Sequence, residues 1–272
     1  MRTAVVGHIE WLEFVPVEAV PRPGEIVHAS DSWEQAAGGG SVAAVQLSKL
    51  ADSVDFFTAL GNDEHGRLAR AELESRGITV HATELDAPQR SGFVFLDDAG
   101  ERTITTIGRK QHPRGHDESL PWHELARCDA VYFCAGDADA LVLARRARVL
   151  VATAREIATL RQASIELDAL VSSGKDDAER YHQGQLDPEP LLVVTTSGAL
   201  GGWAQPGGPY KAAALPPDPA DAYGSGDCFA AGLAFGLAAG LDALDALEFA
   251  ARCGAGAIAG SGVHAEVVPL TS

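Results

Sequence analysis

Apolar residues come in short runs, each closed by turn residues, at 4–6, 54–59, 130–134, 149–152, 165–168 and 191–195. Between several of these runs lie stretches with helical spacing, at 42–50, 64–76, 139–146 and 154–161. The alternation predicts βαβ units around a largely parallel sheet. The last third reads as mainly helical, with long elements over 227–239 and 244–259. No internal repeat or low-complexity tract interrupts the pattern.

Two regions break the alternation. Residues 25–32 alternate loosely after the turn Pro21-Arg22-Pro23-Gly24. Residues 91–96 and 102–106 flank the hairpin-like turn Asp97-Asp98-Ala99-Gly100. Together they predict a small, mostly antiparallel sheet drawn from about 12–36 and 90–108, inserted in one α/β domain over 1–272. In an α/β enzyme such an appendage reads as a lid over the crevice at the strand C-terminal ends. A decorative edge hairpin is the alternative.

Composition narrows the function. The chain has 272 residues, 46% hydrophobic and 22% charged, with a formal net charge of −17. That composition is globular. Its acidity excludes nucleic acid and anionic membrane as partners. Lysines stand only at 49, 110, 175 and 211, and no Gly-x-x-x-x-Gly-Lys motif occurs. A phosphate site must therefore rest on helix-terminal amides rather than on a P-loop. The cysteines, at 128, 134, 228 and 253, lack Cys-x-x-Cys spacing and read as reduced buried thiols. The first apolar run is too short for a secretory segment and no run spans a bilayer, so a soluble, cytoplasmic protein is expected.

One segment carries chemistry. Asp221-Ala222-Tyr223-Gly224-Ser225-Gly226-Asp227-Cys228-Phe229 sets a Gly-Ser-Gly turn directly before a long apolar helix. Helix-opening amides lack partners and carry partial positive charge, so an anion can sit on them. Asp227 at the same spot is placed to take a proton from whatever meets that anion. An anion hole beside a general base is what phosphoryl transfer to an alcohol needs. An ordinary loop with a capping aspartate is the competing reading.

These residues resemble the D-T-x-G-A-G-D-x-F signature of the ribokinase-like (PfkB) carbohydrate kinases. The resemblance implies a ribokinase-like fold, a central mostly parallel sheet flanked by helices with a small β lid. It implies ATP-dependent phosphorylation of a hydroxyl on a sugar or nucleoside. Asp227 is then the base, and Gly224, Ser225 and Gly226 form the anion hole. ATP, Mg²⁺ and a monovalent cation are the implied cofactors, and pairing of two chains through the lid is the implied assembly.

Further segments match the family in order. The glycine turn Gly38-Gly39-Gly40, where a ligand can approach backbone, resembles the family's sugar-contacting glycine pair. Val42 stands where the family's Asn is usual. The same glycines spell a weak dinucleotide fingerprint, but residues 30–36 are polar and do not read as a strand. Gly61-Asn62-Asp63 with Gly66 is similar to a G-x-D-x-x-G segment and reads equally as a strand-to-helix turn capped by Asp63. Asp176-Asp177-Ala178-Glu179 resembles an N-x-x-E motif that organises Mg²⁺, with Asp176 replacing Asn and Glu179 retained. Two carboxylates at a helix start otherwise serve as caps. Thr196, Gly198 and Gly201 resemble the nucleotide segment, and the helix around Gly256 would border the adenine. Gly254 and Gly256 read independently as close helix packing. After the first strand, His8, Glu10 and Glu13 are the polar residues available to an acceptor, and Glu10 is the expected acceptor ligand. Arg109 and Lys110 in the lid region could reach phosphate or be merely solvated. A non-catalytic ligand-binding relative and a dinucleotide oxidoreductase are the other classes kept open.

Overall fold

The computed structural model describes residues 1–29, 31–98 and 100–270. In chain order the strands are β1 (Arg2–Val6), β2 (Glu10–Val17), β3 (Trp33–Ala37), β4 (Ser53–Gly61), β5 (Ile78–Leu85), β6 (Ser91–Asp97) and β7 (Arg102–Ile107). They continue with β8 (Ala130–Phe133), β9 (Val149–Thr153), β10 (Ala169–Ser173), β11 (Val193–Thr196), β12 (Gly202–Gln205) and β13 (Gly208–Tyr210). The helices are α1 (Gly39–Ser48), α2 (Glu64–Ser75), α3 (Ala138–Ala144), α4 (Ile157–Ala163), α5 (Ser225–Ala238) and α6 (Ala243–Ala257).

Nine strands form the main sheet in the order β13-β12-β11-β10-β9-β8-β1-β4-β5. Pairing is parallel from β11 through β5, and β12 and β13 add an antiparallel edge. Side chains alternate between two cores, as the pleat requires. Val5, Phe56, Tyr132 and Val151 face the core shared with α1, α5 and α6. Val6, Phe57, Val131 and Leu150 face the core shared with α3 and α4. Both faces are covered, which is why the central strands are apolar throughout.

A second sheet, ordered β3-β2-β6-β7, is antiparallel except between β2 and β6. Its inner face is tied to the main body through Phe14. That ring stacks on Trp33 at 5.4 Å and meets Tyr223 edge-on at 5.1 Å. Among the described residues no helix is long and apolar enough to cross a membrane.

The structure moves several expected elements. The strand expected at 165–168 lies at β10 instead. Asp168 precedes it and accepts from the Leu150 amide at 2.7 Å and from Arg145 at 2.6 Å. β10 reads Ala169-Leu170-Val171-Ser172-Ser173, so its short apolar start runs into two serines. Residues 25–29, 31 and 32 form no strand; β2 and β3 flank them and supply the small sheet instead. Polar Trp33-Glu34-Gln35 does form a strand, because it pairs along β2. The helix expected over 154–161 divides into a 3-10 turn, Ala154–Glu156, and α4. Ser30 in the 25–32 and 30–36 stretches, and Ala99 in the 97–100 turn, lie outside the described residues.

Candidate active site

The chain leaves β1 for β4 and β5 on one side and for β8 to β11 on the other, so the strand order reverses at β1. Open α/β sheets bind ligands in the crevice beyond such a reversal, at the strand C-terminal ends. The candidate residues gather there. His8 follows β1, Arg155 follows β9, Asp176 and Glu179 follow β10, and Gly198 follows β11. The β1–β8 seam is tight: a methyl on Gly7 would lie 2.5 Å from Cys134 Sγ.

The start of α5 reaches the same end. Gly224 caps the helix at φ 75°, and a methyl there would strike Val42 Cγ1 at 2.7 Å. Only glycine meets both demands without strain. Asp221 pins the turn from below, accepting from the amides of Tyr223 at 2.7 Å and Gly262 at 2.8 Å. Helix geometry leaves the amides of Gly226 and Asp227 without an acceptor one turn back. Gly226 is exposed, and a methyl on it would meet nothing within 4 Å, so nothing covers this turn at that position. A phosphoryl group fits such a cradle.

Asp227 stands in the first turn of α5. The Tyr132 hydroxyl of β8 donates to its Oδ1 at 3.0 Å. Removal from bulk water raises the carboxyl pKa from 3.8 to about 6, helped by the negative Glu179; the Tyr132 hydrogen bond and the cations Arg155 and Lys110 oppose the rise. Such a group is ionised at neutral pH and close enough to neutrality to accept and release a proton.

Gly39 lies directly against this carboxylate: a methyl there would come within 2.8 Å of Oδ1. The neighbouring Gly38 amide donates to the Tyr223 hydroxyl at 2.9 Å, and the Gly39 amide to His8 Nε2 at 3.4 Å. That bond leaves the proton on Nδ1, which is buried without a partner among the described residues. Burial and the charges of Lys110 and Arg90 keep His8 neutral, its pKa well below the usual histidine value. A methyl on Gly40 would strike the His8 carbonyl and the Phe56 ring, so Gly40 serves packing. Glu10 is buried at 6% exposure rather than free on the surface. Its Oε1 lies 3.0 Å from Arg90 Nε, yet burial still raises its pKa. Glu13 faces a separate cleft with Trp11, His65 and Phe93.

On the other side of Asp227, Arg155 spans Asp176 at 2.7 Å and Glu179 at 2.5 Å. Asp176 also caps a short 3-10 turn, Asp177–Glu179, by accepting from the Ala178 amide at 2.9 Å. That bond comes first, and Arg155 adds to it, in lowering the Asp176 pKa. Thr196 ends β11, and its hydroxyl donates to the Ser172 carbonyl at 3.2 Å. Gly198 and Gly201 hold φ of 61° and 84° in the turn that follows, with Lys175 Nζ beside Gly198. Gly256 backs onto Glu266, and Gly254 onto Phe229 and the Ser225 carbonyl, so these glycines let α6 lie close to its neighbours. Asp63 caps α2 through the Gly66 amide at 3.0 Å, a structural role.

Sequence reasoning missed Tyr132, Arg155 and Arg90. Tyr132 was visible as the one hydroxyl in the apolar run 130–134, and Arg155 as a cation directly after a strand. Arg90 carried no local signal, because its partner Glu10 is eighty positions away.

The fold agrees with that of known proteins. The profile of the pfkB family carbohydrate kinases matches residues 2–164 and 136–269. The chain is 27% identical over 273 residues to an ATP-dependent ribose-1-phosphate kinase of Halopiger xanaduensis, covering 94% of this chain and 91% of that protein. Ribokinase from Giardia lamblia superposes with a TM-score of 0.77 at 17% identity, covering 97% of this chain and 95% of that one. Arabidopsis thaliana ribokinase complexed with ribose and ATP gives a TM-score of 0.71 at 19% identity, with 96% and 93% covered. With the profile running nearly end to end, the chain belongs to the pfkB family of carbohydrate kinases.

Proposed function

We propose that this carbohydrate kinase transfers the terminal phosphoryl group of ATP to a sugar hydroxyl, with Asp227 as general base. One observation carries the reading: a carboxylate of raised pKa stands in the first turn of α5, beside unpaired helix amides and against the bare backbone of Gly39. An acceptor hydroxyl lying on Gly39 is within reach of Asp227. As its oxygen attacks phosphorus, its proton passes to the Asp227 carboxylate. The Gly226 and Asp227 amides take up charge that builds on the transferred group. Tyr132 holds the carboxyl in place and favours its ionised form.

Asp176 and Glu179 fit a divalent cation held largely by others. They are hard oxygen donors standing together, and no third Asp, Glu, His or Cys joins them among the described residues. Nucleotide oxygens and water would complete a Mg²⁺ shell, with Thr196, Gly198, Gly201 and Gly256 on the nucleotide side. A Mg²⁺ ion held by these residues would supply positive charge to offset that of the nucleotide phosphates. A monovalent cation remains part of the proposal, read by replacing potassium with choline.

A nucleoside acceptor is the second reading within the same fold. A non-catalytic relative is the other reading, fed by the departures at Val42 and Asp176; against it, Val42 is buried and lies under Gly224, which gives that departure a packing role. The deciding experiment is an acceptor screen with ATP and Mg²⁺ over sugars and nucleosides. Phosphorylation of a sugar supports the proposal. Exclusive use of nucleosides, or nucleotide binding without transfer to any acceptor, overturns it.

A further inference from the structure

Two cations act on Asp227 through their charges, Lys110 and Arg155. Lys110 is engaged by Glu156 at 2.6 Å. Arg155 leaves β9 in the 3-10 turn Ala154–Glu156, and Asp176 and Glu179 belong to the next such turn, after β10. Its guanidinium holds one oxygen of each carboxylate. Nη2 donates to Asp176 Oδ2 at 2.7 Å and lies 2.5 Å from Glu179 Oε1, and Nε donates to that Oε1 at 2.7 Å. The other Asp176 oxygen, Oδ1, already accepts from the Ala178 amide. A cation shared by the two carboxylates therefore competes for the position that the guanidinium holds.

The balance of charge makes this pairing provisional. One guanidinium against two carboxylates leaves the group net negative, and Glu179 acts on Asp227 with the same sign. A terminal phosphoryl group brought beside them would be repelled. With a divalent cation on the pair the sign reverses, and the guanidinium no longer has carboxylate oxygens to itself.

Arg155 is built to change partners. Its side chain is 46% exposed, so turning it unpacks no core. Its backbone is anchored, the amide donating to the Thr153 hydroxyl at 3.3 Å. Its charge acts on Asp227 and on His8, so the arm pivots within reach of both. A planar guanidinium fork fits carboxylate and phosphoryl oxygens alike.

Resting on the kinase reading, we propose that Arg155 is a catalytic residue that exchanges partners: it pairs with Asp176 and Glu179 while they are free of metal, and turns to the terminal phosphoryl group of ATP once they are not. The acceptor oxygen bonds to the terminal phosphorus, the bond to ADP breaks, and the hydroxyl proton goes to Asp227. Arg155 keeps its own protons and takes up charge on the phosphoryl oxygens.

The test compares the parent with Arg155→Met and Arg155→Lys in three measurements. Electron paramagnetic resonance reads Mn²⁺ binding to the nucleotide-free protein. Calorimetry in saturating Mg²⁺ compares ADP with a non-hydrolysable ATP analogue. Kinetics follow the best acceptor. Arg155→Met removes the competitor, so Mn²⁺ should bind about fivefold more tightly. The same variant should weaken the ATP analogue about tenfold relative to ADP, as loss of a charge-assisted contact to the terminal phosphate implies. Its kcat should fall about 10²-fold or more with acceptor KM held. Arg155→Lys keeps the charge without the fork and should recover part of kcat. Mn²⁺ binding that weakens or holds in Arg155→Met makes Arg155 a brace for the carboxylates and overturns the exchange, with the kinase reading intact. Equal loss of ADP and analogue affinity assigns Arg155 to another part of the nucleotide and overturns it too, as does near-parental kcat. The expected signs in binding, with no transfer to any acceptor, support the exchange and overturn the kinase reading. A parent that binds no nucleotide overturns both.

Discussion

Two opposed effects set the proton affinity of Asp227: removal from water raises its pKa to about 6, and the Tyr132 hydrogen bond holds it from rising further. A base must be unprotonated, so kcat/KM should fall on the acid side with a midpoint near pH 6. Tyr132→Phe removes the bond that favours the charged form, so that midpoint should move to higher pH. A midpoint that stays put, or moves down, would assign the acid limb to another group. The same shift has a thermodynamic sign. The unfolded carboxyl ionises near 3.8 and the folded one near 6, so the penalty for carrying this charge grows as pH rises between those values and is full above them. Asp227→Asn should therefore cost about 10²–10⁴-fold in kcat while leaving nucleotide binding nearly intact. It should also raise stability at pH 8 by up to about 3 kcal/mol, with the gain shrinking towards pH 4. Near-parental kcat in the Asn variant would remove Asp227 from the role of base. Glu10 shows the limit of reading single positions. A glutamate after the first strand could be placed near an acceptor from sequence, but its burial and its pairing with Arg90 depend on a contact that no local pattern encodes.

At the scale of elements, legibility follows hydropathy. Strands such as β1, β4, β8 and β9 are apolar because both their faces are covered, and their runs stand out along the chain. β5 and β3 did not, since each lies at the edge of its sheet and mixes polar with apolar residues. The turn before α5 was legible for a different reason. Gly224 and Asp221 are fixed by backbone demands, a left-handed φ and two amides to satisfy, and such demands admit few residue types. The 3-10 turn carrying Asp176 and Glu179 was legible as an acidic pair, but its bridge to Arg155 was not. That bridge sharpens the metal prediction. Glu179→Gln weakens the oxygen donor yet keeps its shape, so the Mg²⁺ concentration for half-maximal activity should rise while acceptor KM holds. An unchanged Mg²⁺ titration would reduce Asp176 and Glu179 to partners of Arg155.

Across the whole molecule, the small sheet joins two tasks. Its inner face supports the turn before α5 through Phe14 and Tyr223, and the Tyr223 hydroxyl in turn accepts from the Gly38 amide. Its outer rim is open. Among the described residues β7 pairs only with β6, all six of its residues are exposed, and Ile104 and Ile107 stand 43% and 53% accessible. A free edge of β-branched residues is a template for pairing with another chain. Two copies meeting edge to edge would cover these isoleucines and hold both lids in register over their crevices. We therefore expect a dimer whose mass, measured by light scattering across a concentration series, falls to that of one chain in Ile104→Lys with Thr105→Pro. The proline removes a backbone donor from the edge, and the lysine puts charge where apolar contact is needed. Both changes are on the rim, away from Asp227, so residual activity in the monomer would report how much lid order depends on the partner. A parent that scatters as a single chain at every concentration would leave β7 as a plain exposed edge and confine the small sheet to its role beneath Tyr223.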